Sequence, residues 1–142
     1  MDPTRSSDPR DIYRQVIAAV SEGDADGLDD VLAPDVVDHN PVPGQAPGIE
    51  GFKQWMAGAR SAFPDLTGTV EAVLSDGDLV AGRVTWRGTQ RGDFLGLPPT
   101  GAAVTLPAFH VARVASGRFV EWWGTADLLG AAMQCGGRIT PG

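Results

Sequence analysis

The chain has 142 residues, of which 42% are hydrophobic and 20% charged, and its formal net charge is −7. This length and composition predict one globular domain over residues 1–142 and exclude a disordered chain. The negative charge and the scattered arginines exclude nucleic acid and anionic membranes as expected partners, because both require clustered Lys and Arg.

The N-terminal segment, "MDPTRSSDPRD", has no apolar core of the kind that signal peptides carry, and no run approaches about 18 apolar residues. We therefore expect a soluble, cytoplasmic protein. Its single cysteine, Cys135, excludes an internal disulfide and a cysteine-based metal site.

Three helical segments and one short strand precede the long strands. In "SSDPRDIYRQVIAAVSEG", Asp8 is the expected N-cap, Pro9 suits the first helical position and Gly23 ends the helix. The segment "DADGLDDVLAP" predicts a short second helix that Pro34 stops, and "DVVDHN" predicts a short strand after it. The third helix is predicted in "IEGFKQWMAGARSAF", because its apolar residues recur at steps of three and four.

After Pro64 the apolar period changes to two, which is typical of strands. The segments "LTGTVEAVL" and "LVAGRVTWRG" flank "SDGD" and predict one hairpin. A loop, "TQRGDFLGLPPTG", leads to a second hairpin around Ser116-Gly117, and "DLLGAAMQCGG" predicts a short closing helix. Helices followed by a long antiparallel sheet indicate an α+β fold, in which a curved sheet wrapping the helices would enclose a cavity.

Several sequence words, in their order, resemble the SnoaL-like polyketide cyclase family, which has the nuclear transport factor 2-like fold. The words are "HNP" at 39–41, "AFPDL" at 62–66, "GTQRGDFLGLPPTG" at 88–101, "HVARVASGRFVEWW" at 110–123 and "DLLGAAMQCG" at 127–136. The resemblance implies a cone-shaped α+β barrel with one open apolar pocket, N-terminal helices packed in a curved antiparallel sheet, and a homodimer or homotetramer. It also implies ring closure on an aromatic polyketide by intramolecular aldol condensation, without metal or organic cofactor.

The family's functional residues carry over only in part. Asn40 matches the family's asparagine after the first strand, and His110 matches its histidine on the penultimate strand. Gln90 stands where those cyclases have a second histidine, and Gly124 stands where they have the catalytic aspartate. Asp127 matches a different family aspartate, at the start of the last helix, so it is either a replacement base or a helix cap.

Strand geometry gives two alternatives for Asp127. In a simple two-residue hairpin, His110 pairs with Trp123, and Asp127 shares the histidine's face about 13 Å further along at ~3.3 Å per residue. A one-residue bulge in "WWGTA" would instead place position 124 on the histidine's face and turn Asp127 away. We favour the bulge, which implies that the base is absent and that Gly124 leaves space in the pocket.

His110 is the main acid–base candidate because imidazole titrates near neutral pH, although a buried structural histidine would produce the same pattern. The remaining site residues are expected to bind the substrate. Polar, aromatic and aliphatic residues are predicted to line the pocket or its mouth: His39, Asn40, Trp55, Met56, Trp86, Gln90, Phe94 and Trp123.

Three functions are compatible with these observations. The first is a cofactor-independent enzyme that closes a ring on a small hydrophobic, polyketide-like substrate, with related epoxide or hydroxylation chemistry as an alternative. The second is a non-catalytic binder of hydrophobic ligands that has kept the pocket and lost the base. The third is a stress-related protein of the same fold. Because fold alone does not establish function, the choice depends on the site.

Overall fold

The computed structural model describes residues 8–141. Its elements are, in chain order, α1 (Pro9–Glu22), α2 (Ala25–Val31), β1 (Leu32–Asp38), α3 (Gly48–Ala62), β2 (Thr67–Asp76), β3 (Leu79–Thr89), β4 (Ala103–Ala115), β5 (Arg118–Ala126) and α4 (Leu128–Gln134). Most of the N-terminal segment "MDPTRSSDPRD", in which the sequence predicts no signal peptide, lies outside the described residues. Within them, no helix is long and apolar enough to cross a membrane.

The first helix forms as the sequence predicts. The Asp8 carboxylate accepts a hydrogen bond from the backbone N–H of Arg10, and Pro9 occupies the first turn. Gly23 adopts a left-handed conformation at the C-terminus, where its N–H bonds the carbonyls of Ala19 and Val20. Local capping chemistry therefore fixes both ends of α1.

The boundary between α2 and β1 differs from the prediction. The helix ends at Val31, and the strand begins at Leu32, so Pro34 lies inside β1 and does not stop the helix. Parallel pairing of β1 with β5 extends the strand toward its N-terminus. An edge strand tolerates proline, which cannot donate to a ladder, and β1 is an edge of the sheet.

The five strands form one sheet in the order β1-β5-β4-β3-β2, antiparallel except for the β1–β5 pair. Its inner face, as we call the side that α1 and α3 cover, contributes alternate residues of each strand to the core. On β4 these inner residues are Val104, Leu106, Ala108, His110 and Ala112. The predicted α+β fold is therefore confirmed.

The opposite, outer face carries exposed apolar side chains. They include Leu74, Phe109 and Val111, which are 65%, 56% and 39% exposed. This is the surface that a homodimer or homotetramer would use, and the oligomeric state stays a prediction.

Candidate functional site

A cavity of about 640 Å³ lies between the C-terminal part of α3, the inner face of the sheet and the loop that follows β3. Trp55, Trp86 and Phe94 line it, as the sequence predicts, and the rings of the two tryptophans lie 6.3 Å apart at an angle of 63°. The polar side chains of its lining are Gln45, Gln54, Arg87 and Asp93. We call this the main cavity, and its volume and apolar walls are those of a site for a small organic ligand.

His110 projects from the inner face of β4 into an aromatic cluster. The Tyr13 hydroxyl of α1 and His110 Nδ1 share a hydrogen bond of 2.8 Å, and the Trp122 ring centre is 4.7 Å from the imidazole. Burial lowers the pKa of His110 to about 4, against an opposing effect of the Asp38 charge. The imidazole is therefore neutral at neutral pH.

The hairpin is bulged, and Gly124 lies directly opposite His110. The predicted register is confirmed, but the extra residue is Val120, between the pairs Val114–Phe119 and Arg113–Glu121, and not in "WWGTA". The expectation that Gly124 leaves open space is wrong. A Cβ at this position would lie 2.8 Å from His110 Cδ2 and 3.2 Å from Trp122 Nε1, so two rings fill that space.

His110 does not line the main cavity. On the inner face, the cavity reaches the pair Trp86–Leu106, and the pair Val84–Ala108 separates it from the row that holds His110. Four residues along β4 correspond to about 13 Å at ~3.3 Å per residue. Only an elongated ligand could contact both regions.

Three predicted residues lie near the row that holds His110, on the side away from the main cavity: His39, Asn40 and Trp123. The Asn40 side-chain oxygen accepts a hydrogen bond from the Gly124 N–H at 3.0 Å, so Asn40 stabilises the strand beside His110. The His39 ring stacks on Trp123 at 4.5 Å, and its Nε2 is 2.9 Å from Glu121 Oε2. Trp123 alternates with the inward-facing Trp122, so this stacked pair belongs to the outer face.

Three further residues that the sequence predicted for the site have contacts that stabilise the fold. Asp127 caps α4, where its carboxylate accepts a hydrogen bond from the Gly130 N–H at 2.9 Å. Gln90 is fully buried and bonds the loop of residues 92–100, and it does not line the main cavity. Met56 is 5% exposed and packs in the core.

Sequence reasoning missed Tyr13 and Trp122, the two rings that enclose His110. Tyr13 is the only tyrosine of the chain and follows Ile12 on the apolar face of α1. A phenol at a core position requires a polar partner, which is the signal that could have identified it. The bulged register was the signal for Trp122, because the residue two positions before Gly124 in a regular strand shares the histidine's face.

The sequence of this chain matches a known protein family. The sequence profile of the SnoaL-like polyketide cyclases matches residues 10–135. The chain belongs to this family. No curated protein sequence matches it significantly.

Several solved structures are similar to this chain along most of their length. TsrD from Streptomyces laurentii is 31% identical, with a TM-score of 0.82 over 89% of this chain and 92% of that one. IdmH from Streptomyces antibioticus, a candidate polyketide cyclase, is 35% identical, with a TM-score of 0.81 over 92% and 99%. AclR from Streptomyces galilaeus, a candidate hydroxylase, is 27% identical, with a TM-score of 0.79 over 92% and 96%.

This SnoaL-like chain differs from the family's pattern in its ionisable groups. Position 124, where the resemblance predicts the family's aspartate, is a glycine, and its strand neighbour His110 is a neutral, enclosed histidine. Among residues 8–141, no three His, Cys, Asp or Glu side chains cluster in a way that could hold a metal ion. The absence of a cofactor stays a prediction.

The low pKa of His110 predicts a loss of stability in acid. Between about pH 6.5 and pH 4 the unfolded chain binds a proton that the folded chain excludes, so folding weakens as the pH falls, by up to about 3 kcal/mol. Urea unfolding at several pH values would measure this. His110→Gln should remove this component, whereas His39→Gln should keep it. An unchanged slope in His110→Gln would contradict the assignment.

Proposed function

We propose that this protein is a cofactor-independent enzyme that closes a ring on an elongated, hydrophobic, aromatic substrate of the polyketide type. The observation that carries the proposal is the main cavity, about 640 Å³ in volume and lined by Trp55, Trp86 and Phe94 in a SnoaL-like fold. Flat apolar rings fit between such walls, and no charged side chain other than Arg87 and Asp93 lines them.

The reacting end of the substrate would lie toward His110. Ala108 is the one inward-facing side chain of β4 between the cavity and the imidazole. There a neutral imidazole can donate a hydrogen bond to a carbonyl oxygen of the substrate and stabilise the negative charge that develops on that oxygen. We assign His110 this role, and we do not assign a substrate contact to Gln90, because all its polar groups bond the loop.

A second function, non-catalytic binding of the same class of ligand, is favoured by a different observation. No carboxylate stands at position 124, and Asp127 is committed to capping α4. A protein with this pattern would bind aromatic ligands without converting them. Because AclR is a candidate hydroxylase, hydroxylation is an alternative use of the same cavity.

Binding and turnover of an anthraquinone-type β-keto ester would test the proposal. Binding is followed by tryptophan fluorescence and turnover by chromatography. We expect Ala59→Phe, which fills the cavity from α3, to weaken binding at least tenfold. Ala18→Phe, on the exposed side of α1, is the matched control and should bind normally.

His110→Phe separates the two functions. For an enzyme, this variant should bind the ester but turn it over about 100-fold more slowly, because a phenyl ring has no N–H group to polarise the carbonyl. Binding without turnover in the wild type would favour the binder. If the wild type binds no aromatic ester, or Ala59→Phe binds as tightly as the wild type, the main cavity is not the ligand site.

A further inference from the structure

Tyr13 is held tightly against His110 by its neighbours on the sheet. Tyr13 is fully buried, and its hydroxyl lies 2.8 Å from His110 Nδ1. Its ring covers Gly82, the strand neighbour of His110 on β3, where any Cβ would overlap the phenol. The ring also stacks on Trp122 with centres 6.1 Å apart. The phenol is therefore held against one nitrogen of the imidazole.

The hydrogen bond between the Tyr13 hydroxyl oxygen and His110 Nδ1 holds one proton, and the neighbouring groups determine which of the two atoms carries it. If Nδ1 carried it, the Tyr13 proton would need another acceptor, and none exists among residues 8–141. A buried hydroxyl that donates to nothing is unfavourable, so the hydroxyl donates to Nδ1. This arrangement favours the tautomer with hydrogen on Nε2 by about 5- to 150-fold.

Both partners are neutral under physiological conditions. Burial raises the pKa of the Tyr13 phenol and lowers that of His110. The carboxylate of Asp38 is the charged group that acts on His110, and it opposes this lowering without overcoming it. A proton transfer that charges either ring is therefore disfavoured.

The free nitrogen of His110 and a second donor lie beside the same backbone position. His110 Nε2 lies 3.6 Å, and Trp122 Nε1 3.2 Å, from the place where a Cβ of residue 124 would be. Trp122 is 8% exposed, and within the described part of the chain its indole N–H donates no hydrogen bond. Two N–H groups beside one backbone position suit a hydrogen-bond acceptor such as a carbonyl or enolate oxygen.

We propose that Tyr13 is a positioning residue that holds His110 in the Nε2–H tautomer, so that His110 and Trp122 present two donors to one ligand oxygen. The identity of that oxygen, a substrate carbonyl, rests on the proposed function. With Nδ1 occupied by Tyr13 and Nε2 protonated, His110 has no free lone pair in the ring plane. It therefore donates to the oxygen and does not act as the base that removes the C–H proton.

Nitrogen NMR of the imidazoles tests this without any substrate. The chain has two histidines, and His39→Gln assigns the signals of His110. Two-bond correlations from the ring protons distinguish protonated from unprotonated nitrogen. We expect His110 of the wild type to be in the Nε2–H form throughout the neutral range. In Tyr13→Phe, which keeps the ring over Gly82, the tautomers should become mixed.

A wild-type His110 in the Nδ1–H form would overturn the proposal, and so would an unchanged tautomer ratio in folded Tyr13→Phe. If that variant does not fold, the wild-type spectrum alone decides the tautomer. Trp122→Phe should leave the tautomer unchanged, and it should weaken binding of the ester up to about tenfold more than binding of a matched ligand that lacks the oxygen. Equal losses for both ligands would show that Trp122 makes no such bond. A protein that binds no ester but shows the expected tautomer would contradict only the proposed function.

Discussion

Replacing Gln90 with leucine should lower the free energy of unfolding by about 3 kcal/mol or more, because it leaves several buried polar groups without partners. Gln90 is fully buried. Its amide nitrogen donates to the carbonyls of Gly92, Leu97 and Pro98 at 3.1–3.3 Å, and its oxygen accepts from the N–H and the hydroxyl of Thr100. Leucine has a similar volume and none of these bonds, and urea unfolding would measure the loss.

The same substitution should weaken ligand binding, since Asp93, Phe94 and Leu95 of this loop line the main cavity. Gln15→Leu, on the exposed side of α1, is the matched control and should change stability by no more than about 0.5 kcal/mol. A loss below about 1 kcal/mol in Gln90→Leu would mean that water replaces these bonds. Gln90 would then remain open as a ligand contact.

The elements that depend on local chemistry were predicted well from the sequence. α1 follows from the Asp8 cap, Pro9 and Gly23, and the period-two segments identify both hairpins. The end of α2 was missed because parallel pairing with β5, a contact distant in the chain, sets the start of β1. A proline in an edge strand produces the same local pattern as one that stops a helix.

The site was harder to predict, since neighbouring elements decide its chemistry. The sequence identified His110 and the bulged register, but the residue that bonds its Nδ1 lies 97 positions earlier. The resemblance predicts a family histidine at the position of Gln90, yet the environment of Gln90 is a loop whose carbonyls only the fold brings together. Contacts between residues this far apart in the chain, and the side-chain burial that they produce, leave no signal in the local spacing of apolar residues.

Restoring the family's aspartate with Gly124→Asp should disrupt the site and not complete it. The new Cβ would lie 2.8 Å from His110 Cδ2, so the imidazole must shift from the Tyr13 hydroxyl. We expect a loss of about 2–3 kcal/mol from overpacking and from a poorly solvated carboxylate. The added charge should also raise the pKa of His110, because it favours the imidazolium. Urea unfolding and the imidazole NMR signals measure these effects.

Two variants separate the causes of this loss. Gly124→Ala adds the Cβ without the charge and should show most of the destabilisation with little change in the pKa of His110. Gly58→Asp adds the same side chain on α3, where a Cβ meets no atom within 4 Å, and should change stability by no more than about 0.5 kcal/mol. A stable Gly124→Asp protein that turns over the ester faster than the wild type would contradict this account. It would show that the space beside His110 can still accept a base, and that glycine at this position is a reversible loss of the family's chemistry.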